Sequence, residues 1–277
     1  MAVDRQPDGA AFGFGSIWVG HYGASGIERV DPSTGQIVAT IGTGLRPLAI
    51  AISPEAVWTA NYGDRTVSRI DPKSNRVVKT IDVGLLPEGM AFEAGRIWVG
   101  NQGDGTVSVI DPKTNQVTRT IELGTFPGFV SAGFGDVWVP DFDTSGSTVA
   151  RIDGRTGRVR ETIGVGTQPV LVAFGAGAAW VANLGEGTVT RVDVATNGPV
   201  ATITLPTGQP QGIAVSGGSV WVVSIEGNAV YRIDPTTNEV TGRIATGAGP
   251  RSLVDSGSEL WLTEFDAGTL TLLDLSS

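Results

Sequence analysis

The sequence predicts an all-β protein: a seven-bladed β-propeller built from four-stranded antiparallel blades. Three observations carry that reading. The seven tryptophans, Trp18, Trp58, Trp98, Trp138, Trp180, Trp221 and Trp261, recur at intervals of 40, 40, 40, 42, 41 and 40 residues. A proline stands eleven residues before each of them: Pro7, Pro47, Pro87, Pro127, Pro169, Pro210 and Pro250. An aspartate follows each in turn: Asp31, Asp71, Asp111, Asp153, Asp193, Asp234 and Asp274. A period near 40 built from strand-like copies belongs to propellers rather than to helical solenoids.

The third copy, which starts at Pro87, shows the internal design. Four short runs lie between turn residues: Gly89–Phe92, Arg96–Gly100, Thr106–Ile110 and Val117–Ile121. The second run is apolar on both faces at Ile97, Trp98 and Val99, as required of a strand sandwiched between neighbouring blades. The fourth alternates, as expected at an outer rim. Each tryptophan can then wedge between two blades, its burial contributing on the order of 3 kcal/mol.

The 277 residues suit one propeller domain, 1–277, with no room for a second. There is no cysteine, so neither disulfides nor thiol chemistry enter. No apolar run approaches the roughly 20 residues of a membrane span, and the first residues lack a signal-peptide core. The net charge of −9, with three lysines and sixteen arginines, argues against nucleic acid as a partner. A monomer is expected.

The two ends raise a question of closure. Elsewhere the fourth strand finishes six residues before the next proline, and six before Pro7 is Met1. At the far end the sequence stops three residues past Asp274, so the last blade is expected to have three strands. Either the chain is a piece of a longer protein, which is the favoured expectation, or Thr269–Leu273 is left as an open edge.

The aspartates open a repeated turn: DPSTG at Asp31, DPKSN at Asp71, DPKTN at Asp111, DGRTG at Asp153, DVATN at Asp193 and DPTTN at Asp234. Aspartate accepts backbone N–H groups, proline presets φ, and the closing Gly or Asn supplies a left-handed residue. These aspartates are assigned no chemistry.

Candidate functional positions come from the same register. Three residues after each tryptophan stand His21, Asn61, Asn101, Asp141, Asn183, Ser224 and Glu264, all polar. Directly after each proline stand Asp8, Leu48, Glu88, Gly128, Val170, Gln211 and Arg251. In a closed ring both sets are expected around one mouth of the central channel. Tyr22, Tyr62, Phe142 and Phe265, four after their tryptophans, add stacking surfaces. A polar funnel with aromatic walls suits a small molecule, a sugar or a peptide end, or a protein partner. Asn61, Asn101 and Asn183 also carry a structural reading, because asparagine after a strand forms turns. His21, in blade one, is the single histidine, and Glu264 and Arg251 belong to the adjoining blade seven. That seam offers His21 as a candidate general base. No cofactor is expected; Asp141, Asp143 and Glu264 are the only candidates for holding Ca²⁺ or Mg²⁺, without a compact ligand motif.

The segments WVGN, WVAN, GTVSVIDP and VVKTI resemble YVTN-type propeller repeats of bacterial surface and exported proteins. They also resemble the repeats of the streptogramin lyases, which are seven-bladed propellers. The resemblance spans the chain and implies the propeller fold and an extracytoplasmic location. In the lyase family the catalytic histidines directly follow the prolines of the last blades, and a nearby glutamate helps hold Mg²⁺. Here those positions are Gln211 and Arg251, and Glu264 sits one residue nearer its tryptophan. The expected function is therefore non-catalytic binding in the axial funnel. His21, Asn61, Glu88, Asn101, Asp141, Asn183, Gln211, Arg251 and Glu264 are the candidate ligand contacts. The alternative is a lyase or hydrolase in the same funnel, with His21 as base, Arg251 as anion stabiliser and Glu264 as orienting carboxylate.

Overall fold

In the computed structural model, which describes residues 1–257 and 259–275, the strands form seven separate antiparallel sheets. Six sheets have four strands in simple sequence order and the last has three. Each sheet is one copy of the sequence repeat. The blade beginning at Pro87, for example, comprises Pro87–Glu93, Arg96–Asn101, Thr106–Asp111 and Gln116–Glu122. Residues 258, 276 and 277 of the expected 1–277 domain lie outside the described residues.

The tryptophans do what their period requires. Each sits in the second strand of its blade, 5 % exposed or less. Trp58 packs with Met90, Ile97 and Val99 of the next blade, and Trp98 with Val130, Val137 and Val139 of the one after. Trp261 of blade seven packs with Ile17, Val19 and Val30 of blade one, so the ring closes on itself. The core is therefore seven apolar layers between blades rather than one central mass, in keeping with non-directional burial of both sheet faces.

A second device binds the blades together. Arg69, directly opposite Trp58 in the sheet, lies 5.2 Å from the indole centroid. Its guanidinium donates to Pro112 O at 2.8 Å and Asn115 Oδ1 at 2.7 Å in the next blade's turn. Arg29, Arg151 and Arg191 repeat this clamp. The receiving turns have the predicted chemistry. The carboxylates of Asp71, Asp111 and Asp234 accept the N–H two residues on, and Asn75, Asn115 and Asn238 adopt φ of 53°, 56° and 60°. These hydrogen bonds, with those from neighbouring hydroxyls, hold the half-buried Asp71 and Asp234 carboxyls below their usual range.

At the seam the first residues of the chain pair with the third strand of blade seven. Ala2 pairs antiparallel with Thr269, the Leu270 N–H donates to Met1 O, and the Val3 N–H donates to Gly268 O. Residues 1–3 thus occupy the end of blade seven's fourth-strand position. Of the edge Thr269–Leu273, which the less favoured expectation left open, Thr269 and Leu270 are paired, while Leu272 remains 46 % exposed.

The innermost strands crowd the axis. A Cβ on Gly9 would fall 2.1 Å from Leu48 O, and one on Gly89 would fall 2.1 Å from Val130 N. Glycine at these two positions lets adjacent inner strands approach backbone to backbone, which draws the residues after the blade prolines toward the channel.

Candidate functional site

Six of the seven second strands end at the residue three after their tryptophan, blade four's ending at Pro140 with Asp141 in an isolated bridge to Pro127, and the chain then turns back across the channel mouth. The next residue, four after each tryptophan, donates its N–H to the carbonyl of the residue before the blade proline. The seven bonds, from Tyr22, Tyr62, Gln102, Phe142, Leu184, Ile225 and Phe265, span 2.7–3.1 Å. Five of those carbonyls belong to non-glycine residues in left-handed backbone, Gln6, Arg46, Leu86, Gln168 and Gln209, with φ between 50° and 58°. Such conformations carry local strain of order 1 kcal/mol or more. They fix the collar residues over the axis.

All seven collar residues line one open cavity of about 670 Å³. Its floor is made of Asp8, Leu48, Glu88, Gln211 and Arg251, each directly after a blade proline, together with Phe129. A narrower cavity of about 170 Å³ continues along the axis, sharing Asp8, Phe129, Gln211 and Arg251 and otherwise lined by apolar groups such as Ala49, Met90 and Leu253. The predicted funnel is present, and Glu88, Gln211 and Arg251 of the candidate residues line it. Asp8 and the aromatic quartet Tyr22, Tyr62, Phe142 and Phe265 line it with them.

The other candidates lie elsewhere. Asn61, Asn101 and Asn183 have no exposed surface. Asn101 donates from Nδ2 to Thr106 Oγ1 at 2.9 Å and Ser108 Oγ at 2.8 Å, and its Oδ1 accepts the Gly84 N–H. Asn61 and Asn183 make the same two hydroxyl bonds. Glu264 fills this role with polarity reversed: Thr269 and Thr271 donate to Oε2, while Oε1 accepts from Gly247 N. Asp141 accepts the Phe126 N–H at 3.0 Å from the connection into its blade, and Asp143 accepts from the Ser145 N–H and hydroxyl within its own loop. Among the described residues, no group of three or more His, Asp or Glu is arranged to hold a metal ion.

His21 takes the same place in blade one. It is 1 % exposed, and its Nε2 lies 3.3 Å from Glu28 Oε2, seven residues on, where the asparagine blades carry Ser68 or Ser108. Glu28 in turn accepts the Asp4 N–H at 3.1 Å. Neither His21 nor Glu264 lines the funnel, so the expected cluster of His21, Arg251 and Glu264 is not assembled. The physical reason is strand alternation. The position three after tryptophan points into the blade and only the next one reaches the axis.

The floor is electrostatically unusual. Burial raises the Glu88 carboxyl to about 8, and the neighbouring negative charge of Asp8 adds to the effect. Burial also raises Asp8, to about 6, against the opposing pull of the Arg251 guanidinium. Glu88 accepts a hydrogen bond from Gln102 Nε2, and Gln102 Oε1 accepts from the Tyr62 hydroxyl at 3.3 Å. Burial, and then Glu88, raise Tyr62 in turn. Arg251 lies with its guanidinium 4.8 Å from the Phe265 ring centroid, and Arg46 stands 4.8 Å from Tyr22. Asp8 was noted in the sequence as one of the residues after the prolines. Gln102 escaped notice, although its place four after Trp98 put it in register with the aromatic collar.

No protein-family model and no curated protein matches the sequence. Solved structures share the fold over nearly its whole length. Hydrazine synthase of Kuenenia stuttgartiensis superposes with a TM-score of 0.87 at 17 % identity, covering 100 % of this chain and 97 % of that one. A streptogramin B lyase gives 0.82 at 18 % identity, with 98 % and 94 % covered. A catalytically inactive histidine-to-alanine variant of virginiamycin B lyase from Staphylococcus aureus, with quinupristin, gives 0.83 at 19 % identity, with 96 % and 95 % covered. The chain is thus a seven-bladed propeller with streptogramin lyases among its structural neighbours.

Proposed function

We propose that the protein is a ligand-binding propeller that takes a small molecule into its axial funnel without transforming it. The observation that supports this most is the funnel floor, where Asp8, Glu88, Gln211 and Arg251 from four different blades converge under an aromatic collar. A concave cavity of this size, with a few polar groups set among apolar walls, is the usual form of a small-molecule site. The lyase alternative draws on likeness of fold to proteins 18–19 % identical, and one fold hosts many chemistries. This chain's one imidazole lies inside blade one beside Glu28, away from the floor.

A screen of small polar and aromatic compounds by ligand-observed NMR tests the reading, with Arg251→Met and Tyr62→Ala as controls. Compounds that bind the wild type and are lost from both variants are expected. Binding that survives both substitutions would place the ligand outside the funnel and overturn the reading. Turnover of a bound compound would overturn the non-catalytic part alone.

A further inference from the structure

We infer that the funnel accepts a primary ammonium compound with an apolar or aromatic body, its cation seated between Asp8 and Glu88. This deepens the binding function proposed above and rests on it. The first argument is charge. Two carboxylates, Asp8 and Glu88, meet one guanidinium, Arg251, on the floor. Once Glu88 has given up its proton, a ligand carrying one positive charge balances that set.

The second argument is unused hydrogen-bonding capacity. Among the described residues, Asp8 receives no side-chain hydrogen bond and has no ion pair within 4 Å, and Glu88 receives a single bond, from Gln102. A carboxylate offers about four acceptor sites, so the pair has room for the three donors of an ammonium group. Arg251 cannot fill that room. Its guanidinium is stacked on Phe265, and its Nε is buried without an acceptor. Glu88 is 8 % exposed, so its charge is shielded from water and a partner would gain from the low local dielectric.

The third argument is the wall above. Tyr62 and Phe142 line the cavity with no cation against their rings among the described residues, while Arg46 and Arg251 already stand over Tyr22 and Phe265. The open rings suit an alkyl or aryl body and the polarised carbons next to its nitrogen.

Binding has a proton balance. Near neutral pH Glu88 holds a proton, because of its burial and the charge of Asp8. An incoming ammonium displaces that proton to solvent, leaving an ion pair of Glu88 carboxylate and ligand cation. The charged or titratable groups that act on Glu88 and Asp8 are each other, Arg251 and Tyr62; Tyr22 and Arg46 act on Tyr62.

The test titrates the protein with phenethylamine, 2-phenylethanol and 3-phenylpropionate, three probes that differ in head-group charge. Calorimetry in two buffers of different ionisation enthalpy reads the proton count, and NMR follows the ring signals of Tyr22, Tyr62, Phe142 and Phe265. Phenethylamine is expected to bind at least tenfold more tightly than either analogue, releasing close to one proton at pH 7. Its affinity is expected to rise about tenfold between pH 7 and 9, as Glu88 ionises. Glu88→Gln is expected to remove both the proton release and the pH dependence, and Asp8→Asn to weaken binding with the proton release reduced. Tighter binding of the alcohol or the acid, with shifts at the same rings, overturns the ammonium inference and leaves funnel binding intact. Undiminished amine binding by Glu88→Gln also overturns it. No ring shift with any probe overturns the inference, and with the compound screen empty as well it removes the binding function.

Discussion

Replacing Glu88 by glutamine should stabilise the protein, and by an amount that depends on pH. The carboxyl sits near 8 in the folded state against an ordinary value of 4.5. The folded state therefore binds this proton more tightly than the unfolded chain does. Below about 4.5 the group is protonated in both states and contributes no penalty. As pH rises from 4.5 to 8 the unfolded chain ionises first and stability falls; above 8 the full penalty remains. Worked through linkage, the penalty is on the order of 5 kcal/mol, and roughly 3–5 kcal/mol once part is shared with Asp8. The new amide cannot ionise, and its carbonyl can still accept from Gln102 Nε2. With about 2.1 cal/mol/K of unfolding entropy per residue, a chain of 277 residues should gain roughly 5–9 °C in Tm at pH 9. Thermal unfolding followed by circular dichroism at pH 4, 7 and 9 measures this. Curves for the two proteins should coincide at pH 4 and separate steadily toward pH 9. Parallel curves, or a less stable variant at pH 9, would refute the reasoning.

Asn101→Ala should cost roughly 2–4 kcal/mol in urea unfolding, because Thr106, Ser108 and the Gly84 N–H lose a buried partner. It should leave funnel binding unchanged. Trp98→Ala removes a wedge between blades three and four, with an expected loss of about 3–5 kcal/mol by the same assay. Arg69→Met keeps much of the packing on Trp58 but strips the donor from Pro112 O and Asn115, for an expected loss of about 1–3 kcal/mol. The double change His21→Asn with Glu28→Ser gives blade one the Asn61–Ser68 pair of blade two, without the Thr66 bond because Gly26 stands in its place. Its stability should stay within about 1 kcal/mol of wild type, the net worth of the one hydrogen bond that replaces the His21–Glu28 contact. A much larger loss would show that the two positions are not equivalent.

The fold was legible because its determinants repeat. Tryptophan, proline and aspartate mark the same three places in every copy, serving as wedge, strand entry (an isolated bridge at Pro127 in blade four) and turn. The funnel was half legible. The residues after the prolines were expected at the axis, and Asp8, Glu88, Gln211 and Arg251 are there. The residues three after the tryptophans were expected beside them, but they serve the blades. Period alone could not separate the positions three and four after tryptophan, which differ by a single residue in where a strand stops. His21 and Glu264 drew attention as exceptions to asparagine. Each is a substitute for it, answered seven residues on by Glu28 and Thr271. The arginine clamps went unseen because Arg69 and its acceptors are 43 and 46 residues apart, a pairing visible only when blades lie side by side.

Convergence of Asp8, Glu88 and Arg251 at one throat is tested most directly by a carboxyl ¹³C NMR titration of the ligand-free protein. The Glu88 signal should titrate near 8, and its midpoint should fall in Asp8→Asn, a substitution eighty residues away in sequence. A Glu88 midpoint near 4.5, unmoved by Asp8→Asn, would contradict the funnel floor described here.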